Sequence, residues 1–181
     1  MIHLICLGNP LHSDAGFGAA IHHRLTHLAW SGGIRVFDAT ARNALPLFEH
    51  CDRVIVLEAL PPDCGIPGQI MRMNGQEYPP DPHGAMAVGT GPLLAAAARI
   101  IHPVPAIEVL GPVALRNQPY CPGLTPMVAA AVQTVTAMLV KELGGRQRKH
   151  RQCGLAPHGI QRPLQDIGGG HFIDHFGPAG A

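Results

Sequence analysis

Four side chains spread along the 181-residue chain could do chemistry together: Asp14, Asp38, Glu58 and His83. Carboxylate oxygens and an imidazole nitrogen make a donor set that suits nickel, zinc or a similar divalent ion. A carboxylate held beside a reacting bond can also take a proton from water. Taken singly, each has an ordinary reading. Asp14 belongs to a βα connection, Asp38 caps the next helix, Glu58 is a solvated strand end, and His83 is a loop residue. Convergence is what separates the chemical reading from the ordinary ones, and it depends on the elements that carry these residues.

Asp14 lies in Gly8-Asn9-Pro10-Leu11-His12-Ser13-Asp14-Ala15-Gly16-Phe17-Gly18, directly after the apolar run Ile2 to Leu7. A short apolar run followed by a glycine turn and a helical pattern reads as strand, turn, helix. The helix is expected from about Gly16 to Ala29, with Phe17, Ile21, Leu25 and Leu28 at three-to-four spacing. Ile34 to Asp38 reads as a second strand, and Asn43 to His50 as a short helix with Pro46 in its first turn. Arg53-Val54-Ile55-Val56-Leu57-Glu58 is the clearest strand, because continuous β-branched and apolar residues mark a strand buried on both faces of a parallel sheet. Asp14, Asp38 and Glu58 thus each follow or close a strand. In a parallel sheet those ends share one edge, where ligands bind.

Ile66 to Met73 reads as a shorter strand whose Pro67-Gly68 pair suits an edge. His83 follows in the proline-rich loop Tyr78 to Gly84. Pro92 to Ile101 reads as a helix, Ala106 to Gly111 as the last strand, and Thr125-Pro126 as the cap and first residue of a final helix. Its apolar face carries Val128, Ala131, Val132, Val135 and Leu139. From Gly144 the composition shifts to the basic run Arg146 to Arg151 and a Gly-, Pro- and His-containing tail, so the expected division is a domain over 1–143 and a tail over 144–181. His171 and His175 could meet on one helical face there, but Gly168 to Gly170 and Gly177-Pro178 flank them too closely for a stable helix.

Composition removes several classes of function. The turn after the first strand lacks both G-x-G-x-x-G and the phosphate-loop glycine pattern, so no nucleotide cofactor is expected. A formal charge of +1 creates no broad field for nucleic acid. No apolar stretch reaches membrane-spanning length, and no basic and apolar leader opens the chain, so a cytoplasmic protein without a membrane partner is expected. The five cysteines, Cys6, Cys51, Cys64, Cys121 and Cys153, show no C-x-x-C pair and read as free thiols of a reducing compartment.

These residues, in this order, resemble the hydrogenase maturation endopeptidases, which trim the C-terminus of the nickel-containing large subunit. The resemblance rests on Gly8-Asn9-x-Leu11-x-x-Asp14-x-Gly16-x-Gly18, on Asp38-x-Thr40, and on Val54 to Leu57 followed by an acid. It continues with Pro82-His83 before Leu93-Leu94 and with Gly123-Leu124-Thr125-Pro126, and it covers residues 2 to about 143. It implies an α/β fold of three layers, α/β/α, around a mostly parallel twisted sheet of about five strands, of the phosphorylase/hydrolase-like kind. It also implies an aspartic-type endopeptidase acting on a large-subunit precursor, with nickel supplied by the substrate.

By the same resemblance, the metal-contacting turn carboxylate falls on Ala15, the strand-end acid on Glu58 and the loop histidine on His83. Ala15 has no ligating atom, and Glu58 stands where Asp is usual. Asp14 is the neighbouring carboxylate that could stand in as a ligand. Glu58, one methylene longer, is expected to extend into the space left at Ala15. Asp38 and Glu58 are the expected catalytic carboxylates, and Glu58, His83 and Asp14 the expected metal contacts. Two other readings compete: a non-catalytic assembly chaperone of the same family, favoured by Ala15, and a small-ligand α/β module, disfavoured by the missing glycine fingerprints.

Overall fold

The structure is a computed structural model, and it describes residues 1–30, 32–79 and 89–147. Ten elements follow in chain order: β1 (Ile2–Leu7), α1 (Phe17–Thr26), β2 (Leu28–Ala29), β3 (Ile34–Ala39), β4 (Arg53–Leu57), β5 (Ile70–Asn74), α2 (Thr90–Ile100), β6 (Ala106–Pro112), α3 (Pro126–Leu143) and β7 (Arg146–Gln147). Five strands form one sheet in the order β3-β1-β4-β6-β5. The first four run parallel, and β5 closes the sheet antiparallel to β6. This is the expected three-layer arrangement, with β5 on the edge where its Pro-Gly approach fits.

Alternation along the strands assigns each side chain to one of two cores. Leu4, Cys6, Ile55, Leu57 and Leu110 face α1 and α3, packing on Phe17, Ile21, Leu25, Val128, Val135 and Leu139. Ile5, Leu7, Val54, Val56 and Val109 face α2 and the 3-10 turn Leu45–Phe48, packing on Leu93, Leu94, Ala97 and Phe48. Each fully buried Leu, Ile, Val or Phe contributes about 1.5–3 kcal/mol. A central strand sandwiched in this way reads as an unbroken apolar run. Gly18 is fixed by packing, because a Cβ there would lie 1.9 Å from the Leu7 carbonyl oxygen at the point where α1 crosses the end of β1.

Several boundaries differ from the sequence expectation for identifiable reasons. α1 stops at Thr26, three residues early. The Thr26 hydroxyl donates back to the His22 and His23 carbonyls, and the Trp30 indole N–H donates to the Leu25 carbonyl, so the last turn is closed by side chains. Leu28–Ala29 then pairs antiparallel with Arg146–Gln147, which draws the first two residues of the basic run into a ribbon. The short helix expected over Asn43 to His50 is the four-residue 3-10 turn Leu45–Phe48. β5 begins at Ile70, after the turn that Pro67 and Gly68 make, rather than at Ile66.

One charged cluster ties α3 to the sheet. Arg53 donates from Nε and a terminal nitrogen to Glu108, at 2.9 and 3.0 Å, and at 2.7 Å to Glu142 on α3. Arg72 closes the cluster with a 2.7 Å bond to the other oxygen of Glu142. The pairs are partly shielded from water, so they form a network rather than isolated surface contacts. Arg53→Met is expected to lower unfolding stability by about 1–2 kcal/mol, since it leaves Glu108 and Glu142 facing each other with Arg72 alone between them. Denaturant titrations at low and high salt check this. The difference from wild type should shrink at 1 M salt, where screening acts within about 3 Å, and a salt-independent loss would assign the effect to packing.

Candidate active site at the carboxyl edge of the sheet

The chain leaves β1 toward β3 on one side and β4 toward β6 on the other. The carboxyl ends of β1 and β4 therefore flank the crevice where open α/β sheets bind ligands. Glu58, the first residue after β4, stands at that crevice. It shares the strand face of Val54 and Val56, so its side chain lies on the α2 side. The chain beyond it continues along β6, with Leu60 N–H donating to the Pro112 carbonyl at 2.8 Å and Ala114 N–H to the Leu60 carbonyl at 2.9 Å. Only glycine permits this at position 111, because a Cβ there would lie 1.7 Å from the Glu58 carbonyl oxygen.

What the carboxyl of Glu58 reaches is Thr90 and Tyr78. The Thr90 hydroxyl, in the first turn of α2, donates to Oε2 at 2.5 Å, and the Tyr78 phenol hydrogen-bonds to the same carboxyl. Oε1 is enclosed and has no hydrogen-bond partner. Burial pushes the Glu58 carboxyl up to about 7, against the opposing pull of the Thr90 and Tyr78 hydrogen bonds. Burial, then the Glu58 charge, hold the Tyr78 phenol above its ordinary range. Cys64 completes the setting: burial, Asp63 and Glu58 in turn raise its thiol, which keeps it protonated. A buried carboxyl with one oxygen unanswered is matched either by a proton or by a cation.

The three expected residues that the structure describes, Asp14, Asp38 and Glu58, do not gather as one group. Asp14 is fully buried, and its carboxylate is spent on the protein itself. Oδ2 accepts from the Leu115 and Arg116 backbone N–H groups at 3.0 and 2.9 Å and from the Thr125 hydroxyl at 3.1 Å, while Oδ1 accepts from Thr125 N–H at 2.7 Å. With both oxygens engaged, Asp14 ties the β1–α1 turn to the segment after β6 and to the N-terminus of α3. This corrects its expected place as a metal contact. Thr125 does sit at the N-cap of α3, but its hydroxyl makes no cap bond and donates to Asp14 instead.

Asp38 is displaced from the group for a different reason. It pairs in register with Cys6, which in turn pairs with Leu57, so Asp38 lies in the row facing α1 and α3. Glu58, one residue past Leu57, belongs to the opposite row. The two expected catalytic carboxylates thus stand on opposite faces of the sheet, with Asp38 exposed on the edge strand β3. His83 lies outside the described residues. The described residues on either side of it in sequence, Tyr78 and Thr90, both act on the Glu58 carboxyl. Among the described residues no three His, Cys, Asp or Glu side chains come together as a metal site. Tyr78, Thr90 and Cys64 were not singled out from sequence. Their positions 20, 32 and 6 residues from Glu58 carry no periodic signal, and only a fold that closes residues 78 and 90 around β4 brings them in.

Comparison with known proteins gives a consistent fold. No protein-family model and no curated relative matches the sequence. Solved structures do. The hydrogenase maturating endopeptidase HybD from E. coli superposes with a TM-score of 0.62 at 22% identity, over 80% of this chain and 94% of that one. The [NiFe] hydrogenase maturation protease HycI from Thermococcus kodakarensis gives 0.64 at 16% identity, over 79% and 92%. The hydrogenase 2 maturation peptidase from a Thaumarchaeota archaeon gives 0.59 at 20% identity, over 79% and 97%. The fold of this chain is the fold of those proteins.

Two outcomes follow for the carboxylates. Asp14→Ala strands the buried N–H and hydroxyl of Thr125 and the part-buried N–H groups of Leu115 and Arg116, and should cost about 2–4 kcal/mol of unfolding stability; a solvent-facing ligand would lose almost nothing in the same denaturant titration. For Glu58, the unfolded chain ionises near 4.5 and the folded chain near 7. Between those values the folded state holds the extra proton, so stability falls as pH rises, by up to about 3 kcal/mol. In Glu58→Gln that fall should disappear, and equal pH slopes in the two proteins would contradict the burial of this carboxyl.

Proposed function

We propose that the chain is a maturation endopeptidase that removes a C-terminal extension from the nickel-loaded large-subunit precursor of a hydrogenase. The observation that carries this reading is Glu58: a strand-end carboxyl at the crevice of this fold, enclosed, with Oε1 free of any protein partner and a pKa moved to about 7. Such a group takes a proton from water near neutral pH, which is what hydrolysis of an amide bond requires of a general base. The Thr90 hydroxyl holds the other oxygen, Oε2, and so fixes the direction of the carboxyl. Nickel enters with the substrate. Glu58 and His83 are the residues we assign to contact it, on the strength of the donor chemistry and of the place of His83 in sequence between Tyr78 and Thr90, which both act on Glu58. Asp38 and Asp14 take no part in this assignment.

A second reading is favoured by one observation. The turn position at which the family resemblance expects a carboxylate is Ala15, and the adjacent Asp14 is consumed by four hydrogen bonds. A protein with one ligand fewer could bind the large subunit without cutting it. Coexpression with a nickel hydrogenase large-subunit precursor, read by the C-terminal mass of that subunit, separates the two. The peptidase predicts a shortened subunit whose formation falls at least about 100-fold in Glu58→Gln, with a parallel loss in His83→Ala. An intact subunit held in a stable complex would establish the binding protein instead.

A further inference from the structure

At the opposite end of the sheet from Glu58, the last turn of α1 and its C-cap residue present two exposed histidines one turn apart. His23 and His27 share a helix face by their four-residue spacing. Their rings meet edge to face, with centroids 4.7 Å apart, and the two Nε2 atoms share a 3.4 Å hydrogen bond, whose proton a metal ion bound to both nitrogens would replace. We propose that His23 and His27 form a bidentate site for a tetrahedral divalent transition-metal ion, zinc by its geometry. A zinc ion keeps its nitrogen ligands at about 2.0–2.1 Å in a tetrahedral arrangement. Two such ligands are then about 3.4 Å from each other, the separation the pair already has. Ligands at right angles, as in an octahedral ion, would need about 2.9 Å at the same bond length.

The turn that carries the pair is held before any metal arrives. The Thr26 hydroxyl bonds the His22 and His23 carbonyls at 3.1 and 3.0 Å, and His27 N–H donates to the Arg24 carbonyl at 3.2 Å. Immediately after His27, Leu28 pairs with Gln147 in the β2–β7 ribbon. The helix face and the exit direction are both fixed, so binding costs little backbone ordering. Neither imidazole is buried, so neither must be desolvated, and the remaining coordination positions open to water. α1 has no acidic residue, so the two nitrogens alone supply the attraction from this helix.

Zinc chloride titrated into the full chain labelled with 15N-histidine tests the assignment through the ring nitrogens. The Nε2 resonances of His23 and His27 should move together with one midpoint. Removing one partner in His27→Ala should raise the zinc concentration for half-response at His23 at least tenfold, while His22→Ala should change it less than twofold. Unchanged α1 amide resonances in the variants show that the helix is retained. Separate midpoints for the two rings, or a His23 response indifferent to the loss of His27, would overturn the site.

Discussion

One buried carboxylate decides how the rim of this sheet is built. Carried by the β1–α1 turn, Asp14 receives donors from two segments about a hundred residues further along: the stretch after β6 gives the Leu115 and Arg116 N–H groups, and the start of α3 gives both N–H and hydroxyl of Thr125. A carboxylate accepts such bonds more strongly than a neutral acceptor does. It also stands where the positive end of α3 favours negative charge. The β1–α1 turn is fastened further by Ser13 N–H to the Cys121 carbonyl and Asp14 N–H to the Arg116 carbonyl. The crevice beside β4 is thus bounded by loops that cannot drift independently.

On that fixed rim, β4 delivers Glu58 to the crevice with Oε1 enclosed and free of a protein partner. The same alternation that buries Val54 and Val56 against α2 sends Glu58 to the α2 side. Gly111 lets its backbone press against β6. The result is a carboxyl with one oxygen satisfied and one waiting. Leaving a buried polar atom unpaired costs about 1–3 kcal/mol. A fold retains such a cost where a ligand or a reaction repays it.

Much of this architecture is legible in the residues. The run Val54 to Leu57 is apolar on both parities and therefore buried on both faces, and α3 shows its buried stripe at three-to-four spacing. The strand ends follow from the same reading. Side-chain fate at those ends does not. An Asp in a polar turn looks alike whether it faces a metal or three backbone donors, and only the arrival of residues 115–125 decides for Asp14. Asp38 turns on a single step of parity: one residue further along, it would share a face with Glu58. The partners of Glu58 are Tyr78 and Thr90, far from it in sequence, and no local pattern announces their meeting. The early end of α1 likewise depends on Trp30 folding back to Leu25.

The account depends most on the state of the Glu58 carboxyl, and a 13C-carboxyl NMR titration of the full chain measures it directly. Half-titration near pH 7 is the result expected of an enclosed carboxyl with an unanswered oxygen. Half-titration near 4.5, the value of a carboxyl open to water, would contradict it and remove the group on which the proposed chemistry stands.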